Sequence, residues 1–197
     1  YERFWFSRGG FSMQSNLLLH PAVYLWRDDV KAFLRAFFNG FASTYYPETC
    51  MLAEHALPTL ADARGDHFKT SDEANVALYL RLLLIEEHGR DLILGKAIPR
   101  AWLAHGQTVR VERALTYFGA MGYVLHSLAD EGMIEAEVAL PQRNPPDRAF
   151  LRLRHPRGES LRRVEIDGEL WARFNPATET IELPLRAGTL RLCGYYS

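Results

Sequence analysis

The spacing of hydrophobic residues changes partway along this chain. From Pro21 to about Thr44 they recur at intervals of three and four. Trp26, Val30, Phe33, Leu34, Phe37, Phe41 and Tyr45 share one face, widened by Val23 and Phe38. Asp28, Asp29, Lys31 and Arg35 supply the wet side, and Pro21 is tolerated in a first turn, so one long helix is predicted. A second helix is predicted to open at Thr70-Ser71-Asp72-Glu73. There Thr70 and Glu73 form a T-x-x-E capping box, and Asp72 adds negative charge to the first turn. Residues 76–85 are apolar nearly all round, which predicts a buried helix stopped by Gly89, with Glu86 and Glu87 facing solvent or a partner. Between the helices, residues 46–70 carry Pro47, Pro58 and Gly65 without a period. Irregular stretches of this length inside compact domains are usually functional.

After a one-turn helix or linker at 99–104 the period becomes two. Short alternating segments are predicted at 108–113, 121–128, 133–140, 149–155, 161–167, 169–174, 180–185 and 189–196. Asp130-Glu131-Gly132 and Asp167-Gly168 read as hairpin turns, and Asn175-Pro176 and Ala187-Gly188 as further breaks. The predicted fold class is α+β: a helical segment over 1–95, a linker over 96–106, and an antiparallel β-sandwich of about eight strands over 107–197.

Composition narrows the function classes. The chain has 197 residues, 48% hydrophobic and 24% charged, which excludes collagen, low complexity and intrinsic disorder. A net charge of −1 gives no field that favours nucleic acid, and the arginines of 148–163 alternate with acidic residues as on a solvated sheet face. The most apolar run is far shorter than the ~20 residues that span a bilayer. Neither a nucleic-acid nor a membrane partner is expected. Cys50 and Cys193 form no metal or redox motif; they read as buried free thiols, with one long-range disulfide as the alternative. Five of the first eleven residues are aromatic (Tyr1, Phe4, Trp5, Phe6, Phe11), so the chain is expected to be the continuation of a polypeptide that extends upstream of Tyr1.

No H-E-x-x-H, C-x-x-C or G-x-S-x-G occurs, and the glycines before Lys96 have the wrong spacing for a phosphate loop. No metal site and no cofactor is expected. Titratable groups concentrate between the helices: Glu48, Glu54, His55, Asp62, Asp66, His67, Lys69, Asp72 and Glu73. Paired carboxylates held at a fixed separation carry out general acid–base chemistry, and glycoside hydrolysis needs only two of them. Asp72 and Glu54 are the candidate catalytic carboxylates. Asp72 is suited to act as base or hydroxyl acceptor, because helix N-terminal amides favour its charged form. His55, His67 and Glu73 are candidates for substrate contact. Trp5 and Gln14 join them, since sugars present a C–H face to aromatic rings and hydroxyls to polar edges. Each has a plainer reading: helix capping for Glu73, a satisfied buried pair for Glu54 and His55, a surface loop for His67, and packing for Trp5.

Several segments come in a familiar order: a Gly-Gly-Phe, the Asp28–Asn39 run, Glu54-His55, His67 to Glu73, Pro99-Arg-Ala-Trp-Leu103 and Thr116-Tyr-Phe-Gly119. Together they resemble the C-terminal end of six-hairpin, (α/α)6-toroid glycoside hydrolases, in which the last toroid helices run into a β-sandwich. The run Leu151-Arg-Leu-Arg-His-Pro156 and the closing Tyr195-Tyr196 resemble that sandwich's strands. The resemblance implies a carbohydrate substrate, an active cleft lined by loops such as 46–73, and activity that depends on the remainder of the polypeptide. A non-catalytic carbohydrate-binding or scaffolding module is the alternative function.

Overall fold

The computed structural model describes residues 19–54 and 70–196. The chain divides into two compact units, Tyr1–Leu82 and Leu83–Ser197, so helices lead and sheets follow in a mixed α+β arrangement.

In the first unit the predicted long helix is two helices, α1 (His20–Trp26) and α2 (Val30–Thr44). The break lies at Asp28-Asp29. Asp28 adopts a left-handed backbone (φ 59°), and the Asp29 carboxylate accepts the Ala32 amide at 3.0 Å as an N-cap. The two aspartates therefore end one helix and start the next instead of wetting a continuous one. Trp26, expected on the apolar face, is 56% exposed. Val23 and Phe38, expected to widen that face, are exposed as well, and Leu34, Phe41 and Tyr45 are half-buried; Val30, Phe33 and Phe37 are buried as expected, together with Ala36. Phe37 meets Phe33 in a stacked pair at 6.1 Å and Tyr79 edge-on at 5.7 Å. Burying a ring of this size contributes about 2–3 kcal/mol. At the C-terminal end, the Ser43 and Thr44 hydroxyls donate back to the Gly40 carbonyl, each at 2.9 Å. A two-residue hairpin follows, β1 (Tyr45–Tyr46) with β2 (Met51–Leu52). Its turn places Cys50 on the surface as a free thiol, where the composition suggested a buried one.

Helix α3 (Thr70–Leu84) does not continue to Gly89. Its last carbonyls leave the helix ladder for partners further along: Leu83 O accepts Ala97 N at 3.1 Å, and Leu84 O accepts Gly95 N at 2.7 Å and the Tyr123 hydroxyl at 3.0 Å. The apolar run past Leu84 becomes β3 (Ile85–His88), which turns at Gly89-Arg90 and pairs with β4 (Asp91–Leu94). Gly95 then needs a left-handed backbone (φ 66°), and a Cβ there would meet Arg152 O at 3.0 Å.

The remaining strands are β5 (Thr108–Thr116), β6 (Gly119–Leu128), β7 (Met133–Ala139), β8 (Arg148–Arg152), β9 (Arg163–Ile166), β10 (Glu169–Leu170), β11 (Phe174–Asn175), β12 (Thr180–Leu183) and β13 (Thr189–Tyr195). They overlap the predicted alternating segments, except that the segment 169–174 is two short strands, β10 and β11, in different sheets; Asp167-Gly168 forms the expected turn with both residues at positive φ. The strands form a six-stranded sheet of order β10-β9-β13-β7-β6-β5 and a five-stranded sheet of order β11-β12-β8-β4-β3. Pairing is antiparallel except between β4 and β8, which run parallel. Both sheets contribute to one core: Leu92, Leu94, Leu151 and Ile181 from the five-stranded sheet meet Tyr123, Leu125, Ile134 and Val138 from the six-stranded one.

Candidate functional site

Two of the predicted site residues open α3. Asp72 is completely buried, and the Ser71 hydroxyl donates to its Oδ2 at 3.2 Å. Glu73 is half-buried, and its Oε1 is shielded from solvent without a hydrogen-bond partner among the described residues. Both carboxylates sit in the first turn, where the peptide dipoles of the helix favour negative charge. Aspartate is rarely wholly buried unless it is paired. Two turns further on, Tyr79 is fully buried, and its hydroxyl is pushed up to about 12, first by burial and then by the Asp72 charge. Glu54 lies half-buried just after β2. His55, His67, Trp5 and Gln14 lie outside the described residues. Among the described residues no group of three His, Cys, Asp or Glu side chains is arranged to hold a metal ion.

The second unit holds polar constellations that sequence reasoning missed. Glu86, expected to face solvent or a partner, is buried and pairs with Lys96 Nζ at 2.6 Å. On β3 it points away from Ile85, and Lys96 reaches it from just past Gly95. Glu179 is also buried. Its Oε1 and Oε2 accept Arg100 Nη1 and Nη2 at 2.8 and 2.7 Å, and Oε1 also accepts His155 N at 3.0 Å. The His155 ring is fully buried 4.6 Å from the Tyr196 ring, and the Tyr196 hydroxyl donates to Leu153 O at 2.7 Å. At the surface Arg157 bridges Asp130 at 2.7 Å and Glu159 at 2.9 Å, and holds both carboxyls below their usual range. A Glu in a Thr-Glu-Thr run signals neither burial nor a partner 79 residues away, so no local pattern marks Glu179. These groups brace the sheets.

No family model matches this chain, and no curated protein matches it. Among solved structures it is similar to Ara127N-Se, a GH127 β-L-arabinofuranosidase from Geobacillus stearothermophilus T6, with 14% identity over 85% of this chain and a TM-score of 0.38. It is also similar to a glycoside hydrolase, with 10% identity over 83% of this chain and a TM-score of 0.39. The chain spans 28% of the length of each.

Proposed function

We propose that this chain is the C-terminal portion of a glycoside hydrolase that cleaves a carbohydrate with paired carboxylates and no cofactor. In this reading the first unit is the end of an (α/α)6 toroid, and the two sheets form the β-sandwich that follows it. Two things support this: the order of segments that resembles six-hairpin glycosidases, and the wholly buried Asp72 in the first turn of α3. That burial is the observation that carries the reading. A carboxylate that only capped a helix would gain as much at the surface and would avoid the cost of desolvation. Held rigidly beside Glu73 at a helix N-terminus, Asp72 is suited to take a proton or accept a sugar hydroxyl, with Glu54 as the second carboxylate. His55, His67, Glu73, Trp5 and Gln14 complete the proposed sugar contacts.

The test compares hydrolysis of aryl glycosides and plant polysaccharides by the 197-residue chain and by the longest natural polypeptide that contains it. Turnover by the longer polypeptide and none by the shorter chain is expected. Robust turnover by the short chain as a clean monomer would contradict the fragment reading, and no turnover by the longer polypeptide would contradict the enzyme reading.

A further inference from the structure

The outer face of the five-stranded sheet carries an open cleft of about 480 Å³, within the range of small-molecule sites. Alternation builds it. Leu151, Ile181 and Leu183 turn inward to the core, so Phe150 of β8 and Thr180 and Glu182 of β12 turn outward. Register sets Glu182 directly beside Phe150 and Asn175 directly beside Thr180. Phe150, Arg173, Asn175, Thr178, Thr180 and Glu182 all line the cleft.

Its parts are held in place before any ligand arrives. The Arg148 guanidinium lies 5.4 Å from the Phe150 ring centroid and is gripped by Asp91 in a two-point ion pair, which fixes the ring's surroundings. Arg173 Nη1 donates to Glu182 Oε1 at 3.2 Å. Trp171 Nε1 donates to the Glu182 carbonyl at 2.8 Å and ties down the strand beneath. Asn175 Oδ1 accepts the amides of Ala177 and Thr178 at 2.9 and 3.4 Å, which orients its side-chain nitrogen as a donor with no protein acceptor among the described residues.

From this juxtaposition we propose that the cleft binds a neutral saccharide. An aromatic ring offers an apolar face to sugar C–H groups. Around it stand donors from Arg173 and Asn175 and acceptors in Glu182 and in the Thr180 hydroxyl, whose own proton goes to Thr178 O at 3.1 Å, which gives the mix of donors and acceptors a ring of hydroxyls requires. The charge balance argues against other occupants. An anion would meet the Glu182 carboxylate, and a cation would meet Arg173. An extended peptide would find at the sheet edge beside the cleft β11, a strand of two residues. Glu182 is the one carboxylate among the lining residues, so the cleft binds sugar without cleaving it. The proposal rests on the cleft's own chemistry and stands whether or not the hydrolase reading does.

Saturation-transfer NMR on the 197-residue chain tests it, with cellobiose, maltose, lactose and xylobiose as probes and adenosine monophosphate as an anionic aromatic control. Transfer to ring C–H protons of at least one disaccharide is expected, with affinity on the order of millimolar. Phe150→Ala should abolish the transfer. Arg173→Ala changes an exposed side chain outside the core and should weaken binding about tenfold, the scale of one hydrogen bond to a charged group. If Phe150→Ala fails to fold, Arg173→Ala decides. No transfer from any disaccharide, transfer unaffected by Arg173→Ala, or binding of the nucleotide alone would overturn the proposal.

Discussion

The clasp between Arg100 and Glu179 gives a sharp prediction about what holds the second unit together. The Glu179 side chain is 8% exposed and accepts three hydrogen bonds, two from Arg100 and one from the His155 amide. The Arg100 side chain is 34% exposed. Breaking a buried pair costs about 3–5 kcal/mol, mostly from the charge left behind. The two single truncations are therefore unequal. Glu179→Ala strands a guanidinium that water can reach, so it should cost about 3 kcal/mol. Arg100→Ala strands a carboxylate that water cannot reach, so its cost should lie nearer 5 kcal/mol. Backbone strain adds a third variant. Glu179 sits at φ 55°, where a residue with a Cβ carries roughly 1–2 kcal/mol of strain. Glu179→Gly removes the same hydrogen bonds but relieves the strain, so it should be about 1 kcal/mol more stable than Glu179→Ala. Urea unfolding followed by circular dichroism measures all three. For a unit of this length 1 kcal/mol moves Tm by about 4 °C, so Glu179→Ala should melt on the order of 10 °C lower. A Glu179→Ala variant within 1 kcal/mol of the parent, or a Glu179→Gly variant less stable than Glu179→Ala, would refute the reasoning.

Other measurements bear on the same structure. Asp130 and Glu159 have carboxyls held low by Arg157, so their contribution is present above the unfolded value near 4 and is lost as pH falls through the folded values. The stability gap between the parent and Arg157→Ala should therefore shrink below about pH 4, and a gap unchanged down to acid unfolding would count against the bridge. The Tyr79 hydroxyl is raised to about 12 against an unfolded value near 10, so its contribution is present below pH 10 and lost as pH rises through 12. Tyr79→Phe should flatten that alkaline decline, and an identical decline in the variant would contradict it. Iodoacetamide followed by peptide mass mapping should label exposed Cys50 before Cys193, whose thiol is half-buried and pushed up by burial; the reverse order would contradict the assigned exposures.

The strands from Thr108 onward were legible because each signal was local. Leu151 and Leu153 alternate with Arg152 and Arg154, and Asp167-Gly168 and Asp130-Glu131-Gly132 mark turns whatever lies elsewhere in the chain. The break at Asp28-Asp29 was written in the sequence but read for polarity instead of for capping. The end of α3 was not readable locally. The run Leu82-Leu83-Leu84-Ile85 has no period of its own, and what stops it is the set of donors from Gly95, Ala97 and Tyr123. The parallel pairing of β4 with β8 joins segments 57 residues apart and leaves no local trace. Burial of Glu86 and Glu179 depends on Lys96 and Arg100, which no short window contains. For the candidate site, the sequence placed Asp72 in the first turn of a helix, yet nothing in Thr70-Ser71-Asp72-Glu73 distinguishes an exposed cap from a buried carboxylate.

The central claim is that this chain supplies carboxylates to a glycosidase through the segment that opens α3. Its most direct test is the pH dependence of kcat/KM for the longest natural polypeptide containing the chain, compared with Asp72→Asn and Glu54→Gln. Two carboxylates in opposite roles give a bell whose limbs report the free enzyme's base and acid. Asp72→Asn keeps the shape of the side chain and removes its charge. It should lower the rate by about 10²–10⁴-fold and remove the acidic limb, with the protein still folded by circular dichroism at the assay temperature. The same bell at the same height in both variants would contradict the account.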